Sequence, residues 1–203
     1  VELEGALQQL GSDPIDPSLR AAAIAAADTM ANKFNIAAGS LVSVADGATF
    51  AADSAVKEAN VIAAELARVN VRLARAGAGS SDRASLLDHR DLMLERLSGI
   101  TDIQTEFSAD GSVRAWAGDK SGPALVEGGT SLQVGMTAAA DGTLAFSVGG
   151  TAVDLKGGAL TGHALTLEGV AQARTDLDDL AKSIIDGING AQIQGSDVRG
   201  NPG

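Results

Sequence analysis

Between Ile24 and Leu73 apolar residues recur at alternating steps of three and four: Ile24, Ala27, Ala31, Phe34, Ala38, Leu41, Ala45, Ala48, Ala52, Ala55, Ala59, Ile62, Leu66, Val69 and Leu73. A 3.5-residue repeat held for about seven heptads keeps one seam turned toward a partner helix as the two wind left-handed. The large members, Ile24, Phe34, Leu41, Ile62, Leu66, Val69 and Leu73, are expected to form a helix-packing seam. Asp13-Pro14-Ile15-Asp16-Pro17 supplies the start, because the Asp16 carboxylate can accept an orphan amide and Pro17 suits a first helical position. If 17–76 is one helix it is about 90 Å long, too long to lie within a globular core of this chain. Gly39 and Gly47 fall off the seam at about 1 kcal/mol each, which leaves one helix or two open. The small side chains of 45–59 bury little area, so that stretch reads as the weakest part of the rod.

Gly77-Ala78-Gly79-Ser80-Ser81 reads as a loop, after which Ser81 or Asp82 can cap a second helix that Gly99 stops. Its apolar side carries Leu86, Leu87, Met93, Leu94 and Leu97, and the short connection predicts an antiparallel return. Past Ile100 the period falls to two. Ile103, Thr105 and Phe107 face Val113, Ala115 and Ala117 across Asp110-Gly111, and Leu132, Val134 and Met136 face Leu144, Phe146 and Val148 across Asp141-Gly142. A short strand at Val153 and Leu155 makes five or six strands in all. A final helix is predicted from Leu165 to Ile188, ended by Asn189-Gly190. The fold class is therefore α+β, a long antiparallel coiled-coil rod with an inserted β-hairpin region. Rod helices occupy 1–100, the hairpins 101–158, a return helix 159–192 and a closing turn 193–203.

Composition narrows the chemistry. The 203 residues include no Cys, one Trp and two His, with a formal net charge of -11. Disulfides, thiolate metal sites and cysteine nucleophiles are excluded, and His89 and His163 alone cannot make a zinc cage. The acidic balance offers no basic patch for nucleic acid or anionic lipid, and no apolar run approaches the length of a membrane span. No metal, cofactor or catalytic residue is expected. Val1 and the turn-like Gly200-Asn201-Pro202-Gly203 suggest a piece of something longer.

Two clusters look reactive at first sight. Asp88 and Asp91, three apart on a helix, could flank a proton transfer in a hydrolytic enzyme, but Arg83, Arg90 and Arg96 offer them and Glu95 ordinary ion pairs. Trp116, with Arg114 beside it, could stack on a sugar in a carbohydrate-binding or adhesive module, although a lone strand Trp is more often packing. No nucleophile elbow and no phosphate loop accompanies the histidines or lysines.

Several segments carry a resemblance. They are Ala6-Leu7-Gln8-Gln9-Leu10 with Asp13-Pro14 and Arg20; Phe34-Asn35; Val56, Asn60, Ala63, Leu66, Asn70 and Leu73; and Leu86-Leu87-Asp88-x-Arg90-Asp91 with Leu97-Ser98. The last is Leu177-Asp178-x-Leu180-Ala181, continuing through Ile188-Asn189 to Gly195-x-Asp197-x-x-Gly200-Asn201-Pro202-Gly203. Together they resemble the bacterial flagellar hook-associated protein 1 family, FlgK, whose most recognisable segment is the one formed here by Leu86, Leu87, Asp88, Arg90 and Asp91. Ala84-Ser85 and Val69 depart from its usual Asn-Asp and Leu.

The resemblance implies a structural component of the bacterial flagellum at the junction between hook and filament, without enzyme activity. It also implies export unfolded by the flagellar type III apparatus and assembly outside the cell. The implied partners are the flagellar hook protein, a second hook-associated junction protein and further copies of the chain in a ring. The isolated chain, without the terminal segments the family uses in its inner coiled coils, is expected to be monomeric, with its seam packed internally and its β region facing outward.

Overall fold

A computed structural model describes residues 2–77 and 79–196. The closing turn and the end of the last resembling segment, residues 197–203, lie outside the described residues, as does Ala78 of the predicted loop. Four helices are present: α1 (Glu2–Ser12), α2 (Pro17–Arg75), α3 (Ser81–Ile100) and α4 (Gly158–Gln194). Seven strands lie between α3 and α4: β1 (Ile103–Phe107), β2 (Val113–Ala117), β3 (Val126–Glu127), β4 (Thr130–Ser131), β5 (Val134–Ala138), β6 (Leu144–Val148) and β7 (Thr151–Val153).

The open question over 17–76 resolves to one unbroken helix. Asp16 caps it as expected, accepting the Ser18 N–H at 2.7 Å. Gly39 and Gly47 lie within it in open space, and the alanine-rich surroundings carry the helix through both. The cap of α3 differs by one residue from the expectation. Ser80 Oγ, and not Ser81 or Asp82, accepts the Arg83 N–H at 3.2 Å. Gly99 does not stop that helix, which runs to Ile100 because Leu97 and Ile100 are both buried against the core. The last helix begins seven residues before Leu165, burying Leu160, and passes through Asn189-Gly190 without ending.

Both predicted hairpins form: the first has the expected register, with Thr105 opposite Ala115, while in the second Met136 lies opposite Phe146 and Ala138 opposite Leu144, two residues along from the expected pairing. They belong to separate antiparallel sheets, β1-β2-β3-β4 and β5-β6-β7. Leu132, expected in a strand, instead lies just before β5, where its N–H donates to Leu125 O at 2.9 Å.

The chain divides into two units, residues 1–44 with 172–203 and residues 45–171. In the second, one apolar cluster joins α2 (Ala59, Ile62, Leu66, Val69, Leu73), α3 (Leu86, Leu94, Leu97) and both sheets (Val113, Ala115, Val126, Val134, Phe146, Val148). The inner sides of the strands are therefore packed on helices. Ala52 and Ala59, within the stretch expected to be weakest, are fully buried, because a methyl side chain lets neighbouring backbone come close.

Both ends of the β region meet. Asp102 N–H donates to Gly157 O at 3.1 Å, Asp102 O accepts the Gly118 N–H at 2.9 Å, and Asp102 Oδ1 accepts the Lys156 N–H at 3.1 Å. Gly158 turns into α4 at a φ of +82°, with its Cα so close to Ile100 that a Cβ would lie 2.6 Å from that carbonyl.

Candidate interaction surfaces and family relationship

The polar residues of α2 that face the sheets act as edge partners for strands. Asn60 Nδ2 donates to Val134 O at 3.0 Å while its Oδ1 accepts the Val134 N–H at 2.7 Å. Ten residues on, Asn70 makes the same pair with Val113 and donates a further bond to Gly128 O at 3.0 Å. A carboxamide presents one donor group and one acceptor with the spacing of a peptide, so each Asn closes the backbone bonds of a strand start. Both residues fall in the resembling segment of α2, which by itself assigns them no such task. The available signal was two amides beside buried Ala59 and Val69 on the apolar side of the helix.

The Leu86 to Asp91 segment is a staple between α3 and the first hairpin. Leu86 is buried and Leu87 half-buried against the core. Arg90, mostly buried, donates to Asp91 Oδ1 at 2.6 Å and to Gly111 O at 2.6 Å, and its guanidinium lies 4.7 Å from the Phe107 ring centre. The Asp88 side chain is exposed, with no hydrogen bond or ion pair among the described residues, and Asp91 is exposed on its Arg90 contact. The two carboxylates thus share neither a proton path nor a common partner. Glu65 and His89 face each other across α2 and α3 at 3.8 Å.

Trp116 is 5% exposed. Arg114 and Lys120 cover it, at 4.7 Å and 4.9 Å from the ring, and are themselves paired with Glu127 at 3.2 Å and Glu106 at 3.3 Å. The indole face that a sugar would need is occupied by the protein's own cations.

Three turns repeat one device. Asp110, Asp119 and Asp141 each accept the N–H and the hydroxyl of the Ser or Thr two residues on. The hydroxyl of Ser112 holds the Asp110 carboxyl below the ordinary carboxylate range, as Ser121 does for Asp119; the Thr143 backbone N–H leads at Asp141. These bonds fix loops and leave no carboxylate poised for acid–base work.

The seam residues divide by unit. Ile62, Leu66, Val69 and Leu73 are buried; Phe34 and Leu41 are half-buried; Ile24 is 64% exposed. Internal packing of the whole seam is thus corrected at Ile24, because α1 and the later half of α4 cover only part of α2 there. Among the described residues of the first unit only Ala23 is a buried apolar residue, and ten of the fifteen exposed large hydrophobic residues of the chain lie in that unit. Leu3, Leu7, Met30, Ile184 and Ile188 line an apolar groove of about 510 Å³ on this unit.

Among the described residues no helix is long and apolar enough to cross a membrane, and no group of three His, Cys, Asp or Glu side chains is placed to hold a metal ion.

No curated protein sequence matches the chain. Among solved structures it is similar to the flagellar hook junction protein FlgK from Burkholderia pseudomallei, at 25% identity and a TM-score of 0.83. That match covers all of this chain and 40% of the other, so the chain spans less than half the length of that relative. The family model described as the helical domain of flagellar hook-associated protein FlgK matches residues 2–203. With that match over nearly its full length, and with the α+β architecture that the sequence pattern predicts, the chain belongs to the FlgK family of flagellar hook-associated proteins.

Proposed function

We propose that the chain is a structural unit of the bacterial flagellum, acting where the hook meets the filament, with function carried by surfaces and not by a catalytic site. The observation that supports this most is the apolar exposure of the first unit, where large aliphatic residues on three helices are left exposed among the described residues. Such a face suits a subunit that buries it against neighbours. The neighbours are further copies in a ring, the hook protein and a second junction protein. In this reading the chain is exported through the flagellar type III apparatus and refolds outside the cell, a route that a cysteine-free sequence suits. The dilute isolated chain is monomeric.

Deleting the gene is expected to leave hooks without filaments and to release flagellin into the medium; normal filaments on the deletion strain would overturn the assignment. A sedimentation run on the purified chain at micromolar concentration checks the monomer.

A further inference from the structure

We propose that copies of this chain meet through an antiparallel helix contact. In it Val61, Arg68 and Arg75 of α2 on one copy face Ile193, Asp186 and Asp179 of α4 on the next. The inference rests on the subunit reading above and names a surface for it.

The six residues are all exposed, Val61 by 67% and Ile193 by 72%. Both sets are spaced by seven, and seven residues of α-helix fall about 20° short of two full turns, so each set forms a stripe on one side of its helix. The axial spacing is the same on both, about 10.5 Å per step. Antiparallel alignment places Arg75 opposite Asp179, Arg68 opposite Asp186 and Val61 opposite Ile193 in three successive layers. Parallel alignment would set Val61 against Asp179 and Arg75 against Ile193. The charge order therefore selects one direction and one register.

The wider charge distribution agrees. Among the described residues of the first unit nine acidic side chains stand against four basic ones, whereas four arginines and a single acid lie between Leu66 and Arg83. Arg75, Asp179 and Asp186 have no ion-pair partner among the described residues, and Arg68 is engaged only by Glu65 on its own helix. Lys182 and Arg72 each sit about 40° to the side of their stripe, and antiparallel packing puts them on opposite flanks. Each copy contributes a different stripe, so the contact is heterologous and lets a third copy add to the second, as a ring or filament requires. Two exposed ion pairs and one aliphatic pair make a weak contact, which leaves the dilute chain monomeric and gains strength from multiplicity.

Because the chain has no cysteine, a V61C/I193C variant reports the contact directly. Mild oxidation of the concentrated purified variant at low salt should give a ladder of dimers, trimers and larger species, while V61C or I193C alone stops at dimers. The ladder should fall about tenfold in about 0.5 M salt and in an R68E/R75E background. It should return when D179R/D186R is added to the same chain. A ladder indifferent to these charge changes, no ladder, or a disulfide closed within one chain would each overturn the interface. None of those results touches the subunit reading, which is decided by filaments on cells.

Discussion

Asn70 on α2 and Val113 at the start of β2 are joined by two reciprocal hydrogen bonds, Asn70 Nδ2 to Val113 O at 2.7 Å and Val113 N–H to Asn70 Oδ1 at 2.8 Å. Both residues are buried, so neither strand group has water to replace the amide. Asn70→Ala should cost about 2–4 kcal/mol, the penalty for stranding a backbone donor and two carbonyls. Asn70→Asp should cost more, because a carboxylate there faces the Val113 and Gly128 carbonyl oxygens. Urea denaturation followed by the fluorescence of Trp116 provides the measurement; equal stability of Asn70→Ala and the parent would refute the clamp.

Two glycines of α4 should respond in opposite directions. Gly158→Ala drives a Cβ to 2.6 Å from the Ile100 carbonyl at a positive φ and should lose about 2–4 kcal/mol. Gly162→Ala adds its methyl in open space within the helix and should gain about 0.5–1 kcal/mol. Thermal melts of the two variants side by side test both signs.

Arg90→Lys keeps the charge but removes the planar fork that holds Asp91, Gly111 O and the Phe107 face together. A loss of about 1–2 kcal/mol is expected. Amide exchange should quicken at 108–112 in the hairpin turn, and unchanged exchange there would show that the staple is unimportant.

The three aspartate turns set a pH dependence. Each carboxyl has a folded pKa below its ordinary value of 3.8, so its contribution is complete at pH values above that and is lost as pH falls through the lower, folded value. Asp141→Ala should therefore melt below the parent at pH 6, and the gap should narrow as pH falls below 3.8 and through the lower, folded value. A gap constant from pH 6 to pH 2 would mean that the ionised form contributes nothing.

The helices and hairpins were legible because their signals are local. A seam repeated over fifteen positions, and alternation across Asp-Gly turns, each specify an element without reference to the rest of the chain. Two of the misread helix ends involve glycine. Gly99 and Gly190 read as stops, yet α3 and α4 include them; burial of Ile100 favours the longer α3, and burial of Leu160 the earlier start of α4. Helix α1 was not set apart from the rod helices of 1–100; its few apolar residues make a short stripe, and Gly5 and Gly11 obscure it. The roles of Asn60 and Asn70 were hidden for a different reason, because a strand partner 43 or 74 residues away has no trace in the local pattern. Ile24 follows the same logic, since periodicity shows which side of a helix is apolar and not what covers it.

The meeting of Asp102 with Gly157 bears on the order of folding. Residues so far apart in sequence must close a loop before the first turn of α4 can settle beside Ile100, while α2 and α3 need only local contacts. A chain emerging unfolded would form its helices first and lock the β region last. Stopped-flow refolding should then show helical circular dichroism ahead of Trp116 fluorescence. Up to that closing step Leu66, Val69 and Leu73 lack the cover of the sheets, so the interval between the two signals is the period in which a refolding subunit is most open to wrong partners.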